Sequence, residues 1–121
     1  MAQSNLKPVR WIGSSRKDLK LFPPAVQAEI GYALFSAQQN RTHPSVKPLK
    51  GFKGINVLEI VENFDGDTYR AIYTVKFEGV VYVLHAFQKK SHKGISTPKK
   101  EIDLINKRFK LAQEDYQKNY S

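Results

Sequence analysis

A chain of 121 residues supports one core and not two, and 40% hydrophobic with 26% charged residues is the balance of a folded protein rather than a disordered one. Twenty Lys and Arg against eleven Asp and Glu leave a formal charge of +9, a field that favours nucleic acid, an anionic membrane surface or an acidic protein partner and says nothing about fold. The absence of cysteine excludes disulfides and thiolate zinc sites and fits a reducing cytoplasm. No stretch approaches the roughly 20 apolar residues that span a bilayer, and the opening MAQSNLKPVRWIG lacks the continuous apolar core of a secretory signal. Three scattered histidines give little support to a metal site. The expectation is a single cytoplasmic domain over 1–121, without membrane contact.

In chain order, PVRWIG at 8–13 has the alternation of a short edge strand. Ser14 or Ser15 can cap a short helix over Lys17–Phe22, and Pro23-Pro24 stops it and opens the next. From Ala25 to Gln39 the residues Val26, Ile30, Ala33, Leu34 and Ala37 recur at three- and four-residue steps, one apolar face of a helix. Residues 40–54, NRTHPSVKPLKGFKG, combine prolines, glycines and cations and read as a long basic loop.

The period then changes. INVLEIVENF, TYRAIYTVKF and VVYVLHAF are rich in β-branched and aromatic residues, and Asp65-Gly66 and Glu78-Gly79 supply tight turns between them. This is an antiparallel meander. In its middle strand Tyr69, Ala71, Tyr73, Val75 and Phe77 share an inward face, leaving Arg70, Ile72, Thr74 and Lys76 partly outward. Thr97 as N-cap, Pro98 in the first turn and Glu101 near the positive end of the dipole open a last helix, whose seam is Ile102, Ile105, Phe109, Ala112 and Tyr116. The expected fold is a small α+β domain: a four-stranded antiparallel sheet, a two-helix hairpin on one face, a C-terminal helix, and an otherwise open, concave sheet surface.

Chemistry concentrates at 79–100, where an apolar strand runs into five lysines and two histidines with no acid among them. In a meander the start of one strand lies beside the end of the next, which puts Arg70 near Lys89 and Lys90. Lys53 in the basic loop can reach the same edge. Metal-free RNA cleavage needs a base for the 2′-hydroxyl, cations for the phosphorane and an acid for the 5′-oxygen. His85, His92, Lys89 and Lys90 are the nearby groups that titrate usefully, although a strand histidine such as His85 can equally be a hydrogen-bonded structural residue. Tyr69, Tyr73 and Tyr82 read as core. No phosphate-cradling glycine motif and no nucleophilic triad is present.

The string from Thr68 to Phe109 resembles the RelE/ParE superfamily of bacterial toxin–antitoxin toxins, in particular its phage-derived HigB-like branch. The resemblance rests on Tyr69-Arg70 with Tyr73, on Leu84-His85-Ala86-Phe87-Gln88-Lys89-Lys90, and on Thr97-Pro98 through Glu101-Ile102, with KPLKG at 47–51 as the basic loop. It implies a RelE-like fold and a type II toxin that arrests growth by cutting mRNA, usually on the ribosome, until a co-expressed helix-turn-helix antitoxin neutralises it. It matches Arg70 to the strand arginine of the superfamily's RNases and Lys90, with Lys89, to their basic pair, and it implies neither metal nor cofactor. From the residues themselves His85 joins these as a catalytic candidate, and Lys47, Lys50, Lys53, His92 and Lys93 are the candidate RNA contacts. Ile60 and Val61 follow Glu59 where the family commonly has an arginine. Two other readings stand beside this one: a non-catalytic nucleic-acid- or antitoxin-binding protein, and a ParE-like gyrase inhibitor.

Overall fold

The computed structural model describes residues 6–52, 56–89 and 97–120. Its elements are β1 (Val9–Trp11), α1 (Ser15–Leu19), α2 (Pro24–Gln38), β2 (Val46–Pro48), β3 (Val57–Phe64), β4 (Asp67–Thr74), β5 (Val81–Lys89) and α3 (Lys99–Tyr120). The strands form one mixed sheet in the order β1-β5-β4-β3-β2. The three-strand meander is as expected, except that β4 ends at Thr74, so Phe77 lies beyond it and packs in the cluster under α3 and not with Tyr69, Ala71 and Tyr73. Asp65 and Gly66 take φ of 52° and 85°, the left-handed pair that a two-residue hairpin requires, and the turn fixes Phe64 opposite Asp67 and Ile60 opposite Ala71.

The sheet differs from the expected four antiparallel strands in two ways. Part of the basic loop is a fifth strand: Val46, Lys47 and Pro48 pair with Ile60, Glu59 and Leu58. Proline is tolerated there because β2 is an edge and its missing N–H breaks no inner ladder. The other difference is direction, since β1 runs parallel to β5, with Val9 opposite Val81. No hairpin ties β1 to its neighbour, so its direction follows from the tertiary path and not from a turn.

Helices α1 and α2 cover one face. Val26, Ile30, Ala33, Leu34 and Ala37 pack there with Ile60, Tyr69, Ala71, Tyr73, Val81, Val83 and Ala86. The opposite face is not open. Ile105 and Ala112 of α3 are fully buried in a second cluster with Ile72, Tyr82, Leu84 and Phe87, joined by Ile102, Phe109 and Tyr116. Thr74, Ile72 and Arg70, read from the sequence as partly outward, are therefore buried, while Lys76 lies past the strand end and is exposed. The narrow seam of α3 suffices because Ile105 and Ala112 put a branched and a small side chain against a two-sided apolar sheet.

A bulge in β5 sets what faces α3. Ile72 pairs with His85 but Tyr73 pairs with Val83, which leaves Leu84 as the extra residue. Leu84 joins the cluster under α3 and the adjacent His85 also reaches α3, an arrangement that strict alternation forbids.

Candidate functional site

Of the polar groups that the sequence singles out, Arg70, Lys89 and His85 lie on the α3 side of the sheet, Arg70 and Lys89 toward the β4–β5 end that carries Thr68. The hairpin register places Glu59 opposite Ile72 and Val61 opposite Arg70, so Glu59 and Arg70 are diagonal neighbours on one face. Arg70 Nη1 donates to Glu59 Oε2 at 2.5 Å, with side-chain exposures of 5% and 3%. Glu59 Oε2 also accepts the Thr97 hydroxyl at 2.9 Å, which brings the approach to α3 onto the same carboxylate. Arg70 is thus buried and ion-paired, not part of an outward polar strip. A buried guanidinium needs such a partner, since an uncompensated charge in this position would cost several kcal/mol.

Lys89 lies opposite Thr68 on the same face and is 9% exposed. Loss of water around its ammonium lowers its pKa below the usual lysine value; the Arg70 and Lys47 charges lower it further, and Glu59 opposes them. Lys47, exposed on β2, sits directly opposite Glu59. Arg70, Lys89 and Lys47 therefore converge around one carboxylate. Lys50 is exposed in the turn after β2. Lys53, Lys90, His92 and Lys93 lie outside the described residues.

His85 stands in a separate arrangement. Its Nε2 is 2.6 Å from Glu101 Oε1, its Nδ1 is 3.4 Å from Arg108 Nη1, and its ring stacks on Phe87 at 4.9 Å. A guanidinium only donates, so Nδ1 accepts and Nε2 carries the hydrogen given to Glu101. Arg108 also donates to the carbonyl of the bulged Leu84 at 3.0 Å and to Ser14 Oγ at 3.1 Å. It passes over Gly13, where an added Cβ would lie 2.8 Å from its Nε. Among the described residues no group of three or more His, Asp or Glu is placed to hold a metal ion, and no helix is long and apolar enough to cross a membrane.

The family of phage-derived Gp49-like proteins (DUF891) matches residues 17–110. The chain belongs to the Gp49-like family. It is also similar to a chain in the crystal structure of the toxin–antitoxin complex RelBE2 from Mycobacterium tuberculosis, at 21% identity and a TM-score of 0.47, covering 75% of this chain and 100% of that one. No curated protein matches it.

Sequence reasoning missed four members of this Gp49-like site. Thr97 and Glu101 appear in it as helix-start residues and as part of the family motif, not as site groups, and Arg108 falls outside the apolar seam of the last helix. Glu59 had a usable signal. A two-residue turn at Asp65-Gly66 makes paired positions sum to a constant, and counting back along β3 puts Glu59 diagonal to Arg70.

Proposed function

We propose that this Gp49-like chain is the toxin of a type II toxin–antitoxin pair and a metal-independent endoribonuclease. The reading is supported by the resemblance to RelE/ParE toxins through Arg70 and Lys89-Lys90. The observation that carries it is Lys89: an ammonium on rigid strand, short of water, beside Arg70 and Lys47, with its pKa lowered. Such a lysine binds phosphate when charged and exchanges a proton at lower pH than a solvated one.

In this reaction neutral Lys89 takes the proton of the 2′-hydroxyl, which attacks the adjacent phosphorus; the resulting ammonium then stabilises the charge that develops on the phosphate oxygens. The 5′-oxygen leaves with a proton from a neighbouring acid, for which Lys90 is the candidate by sequence. Lys47 and Lys50 hold flanking phosphates from the β2 edge. Arg70 positions Lys89 through the field it shares with Glu59. His85 acts as a positioning residue, because one ring nitrogen is engaged by Glu101 and the other faces Arg108. The partner antitoxin and mRNA on the ribosome belong to the same proposal. An antitoxin's acidic segment would meet the cationic β2 edge, since α3 covers the sheet face opposite α1 and α2.

One observation favours a second reading, in which the chain binds RNA or antitoxin without cutting. Arg70 is 4% exposed and occupied by Glu59, so its guanidinium is not displayed to a phosphodiester. Purified protein freed of its partner is incubated with mRNA, with and without ribosomes, and product ends are identified. Cleavage to 2′,3′-cyclic phosphate ends, reduced about 100-fold or more in Lys89→Met with an unchanged circular dichroism spectrum, is the expected result. Full cleavage by Lys89→Met overturns the site. Growth arrest with intact mRNA selects the binding reading, and trapped DNA breaks select gyrase inhibition.

A further inference from the structure

On the other side of the sheet, the C-terminal end of α2 and strands β3 and β4 enclose a hollow of about 300 Å³. Its walls include two cations, Lys7 and Arg41, and its apolar lining includes Ala37, Leu58 and Val75. Among the described residues no carboxylate lines it. Both cations stand on pinned backbone. Lys7 N–H donates to the Gln38 carbonyl at 3.1 Å, and Gln38 Nε2 donates to the Lys7 carbonyl at 2.7 Å. Arg41 N–H donates to the Ser36 carbonyl at 2.8 Å past Asn40, whose φ is 62°, so the chain leaves α2 through a left-handed residue in a fixed direction.

Tyr73 supplies the second observation. It lines the hollow although it is only 1% exposed, and its hydroxyl makes no hydrogen bond to any described residue. The hydroxyl oxygen is not among the fully buried unpartnered atoms, so it opens on the hollow as a donor that water or a ligand can meet. Burial pushes the phenol up to about 12, so it remains an O–H donor at neutral pH.

We infer that this hollow binds a small organic oxyanion, a carboxylate or phosphate held by Lys7, Arg41 and the Tyr73 hydroxyl, with an apolar body against Ala37, Leu58 and Val75. The lining combines three donor side chains with aliphatic carbon, which matches a headgroup joined to a flat or branched apolar group and does not match a bare ion. The inference does not depend on the nuclease reading, because Tyr73 and Arg70 point to opposite faces of β4.

The test titrates ¹⁵N-labelled full-length protein with phenyl phosphate, benzoate and inorganic phosphate at constant ionic strength, following the amides of Arg41, Thr42 and Tyr73. Phenyl phosphate or benzoate should saturate these shifts about tenfold more tightly than inorganic phosphate, a difference of about 1.4 kcal/mol. The tighter of the two organic anions identifies the headgroup. Tyr73→Phe and Arg41→Gln should each weaken binding about tenfold, while the exposed α3 substitution Lys107→Gln leaves it unchanged. Tyr73→Phe keeps the ring and removes an oxygen with no described partner, so it folds. Equal binding of all three anions, or Tyr73→Phe binding like wild type, would overturn the site.

Discussion

At the residue scale the Glu59–Arg70 pair decides how the site can be probed. Both side chains are withdrawn from water, so removing one leaves the other's buried charge without its ion-pair partner. Glu59→Leu or Arg70→Met alone should each cost about 3–5 kcal/mol in urea denaturation, while the double substitution returns to within about 2 kcal/mol of wild type. Additive losses would show that the two groups are not coupled. Arg70→Ala is consequently a poor test of catalysis, because lost activity would be confounded with lost stability, and Lys89 is the better probe. Its titration makes a second prediction. In a ¹³C-lysine spectrum Lys89 should deprotonate below the other lysines, and Glu59→Gln should lower it further by removing the one charge that opposes the shift. A pKa lowered by folding means that the unfolded chain binds more protons between the folded value and 10.5, so stability rises with pH across that window. Lys89→Met should remove that rise, and a Lys89 signal titrating with the solvated lysines would refute the assignment.

At the scale of elements, periodicity and turn residues disclosed most of what the chain builds locally. The five buried positions of α2, the Asp65-Gly66 hairpin and the seam of α3 all follow from spacing. What spacing could not disclose depends on partners far along the chain. Three residues with a proline, Val46–Pro48, become a strand only because β3 offers an edge, and the β5 bulge emerges only from the pairing of β5 with β4, with Arg108 taking the Leu84 carbonyl. The docking of α3 is of the same kind. Asp115 accepts two bonds from Arg10 of β1, at 2.7 and 3.0 Å, and one from the Tyr82 hydroxyl at 2.6 Å. Arg10, first among the causes, holds the Asp115 carboxyl below its ordinary 3.8. With the folded pKa depressed, the contribution is complete above about pH 5 and is lost as pH falls through the folded value. Arg10 and Asp115 are partly exposed, so screening keeps the cost of Asp115→Asn near 1–2 kcal/mol at pH 7. The gap between wild type and variant in urea should close as pH is lowered toward about 2. A gap independent of pH would mean that the carboxylate charge is not its source.

Across the whole molecule the question is whether the +9 charge acts as a diffuse field or through a defined edge. A diffuse field attracts RNA to any cationic surface and accelerates encounter, whereas among the described residues the β2 edge carries Lys47 opposite Glu59 and Lys50 in the turn that follows. Helix α1 provides the comparison. Lys17 and Lys20 are equally exposed, but α1 packs against the other face of the sheet. Binding of single-stranded RNA should weaken with salt, and the log–log slope should shrink by about 0.7 for each phosphate contact removed. If the β2 edge is the RNA surface, Lys47→Gln with Lys50→Gln reduces the slope while Lys17→Gln with Lys20→Gln lowers affinity slightly and leaves the slope in place. The two pairs change the net charge identically, so any difference between them reports position and not charge. Equal reductions from both pairs would assign binding to the overall field and detach the β2 edge from RNA recognition, even if Lys89 proved essential for cleavage.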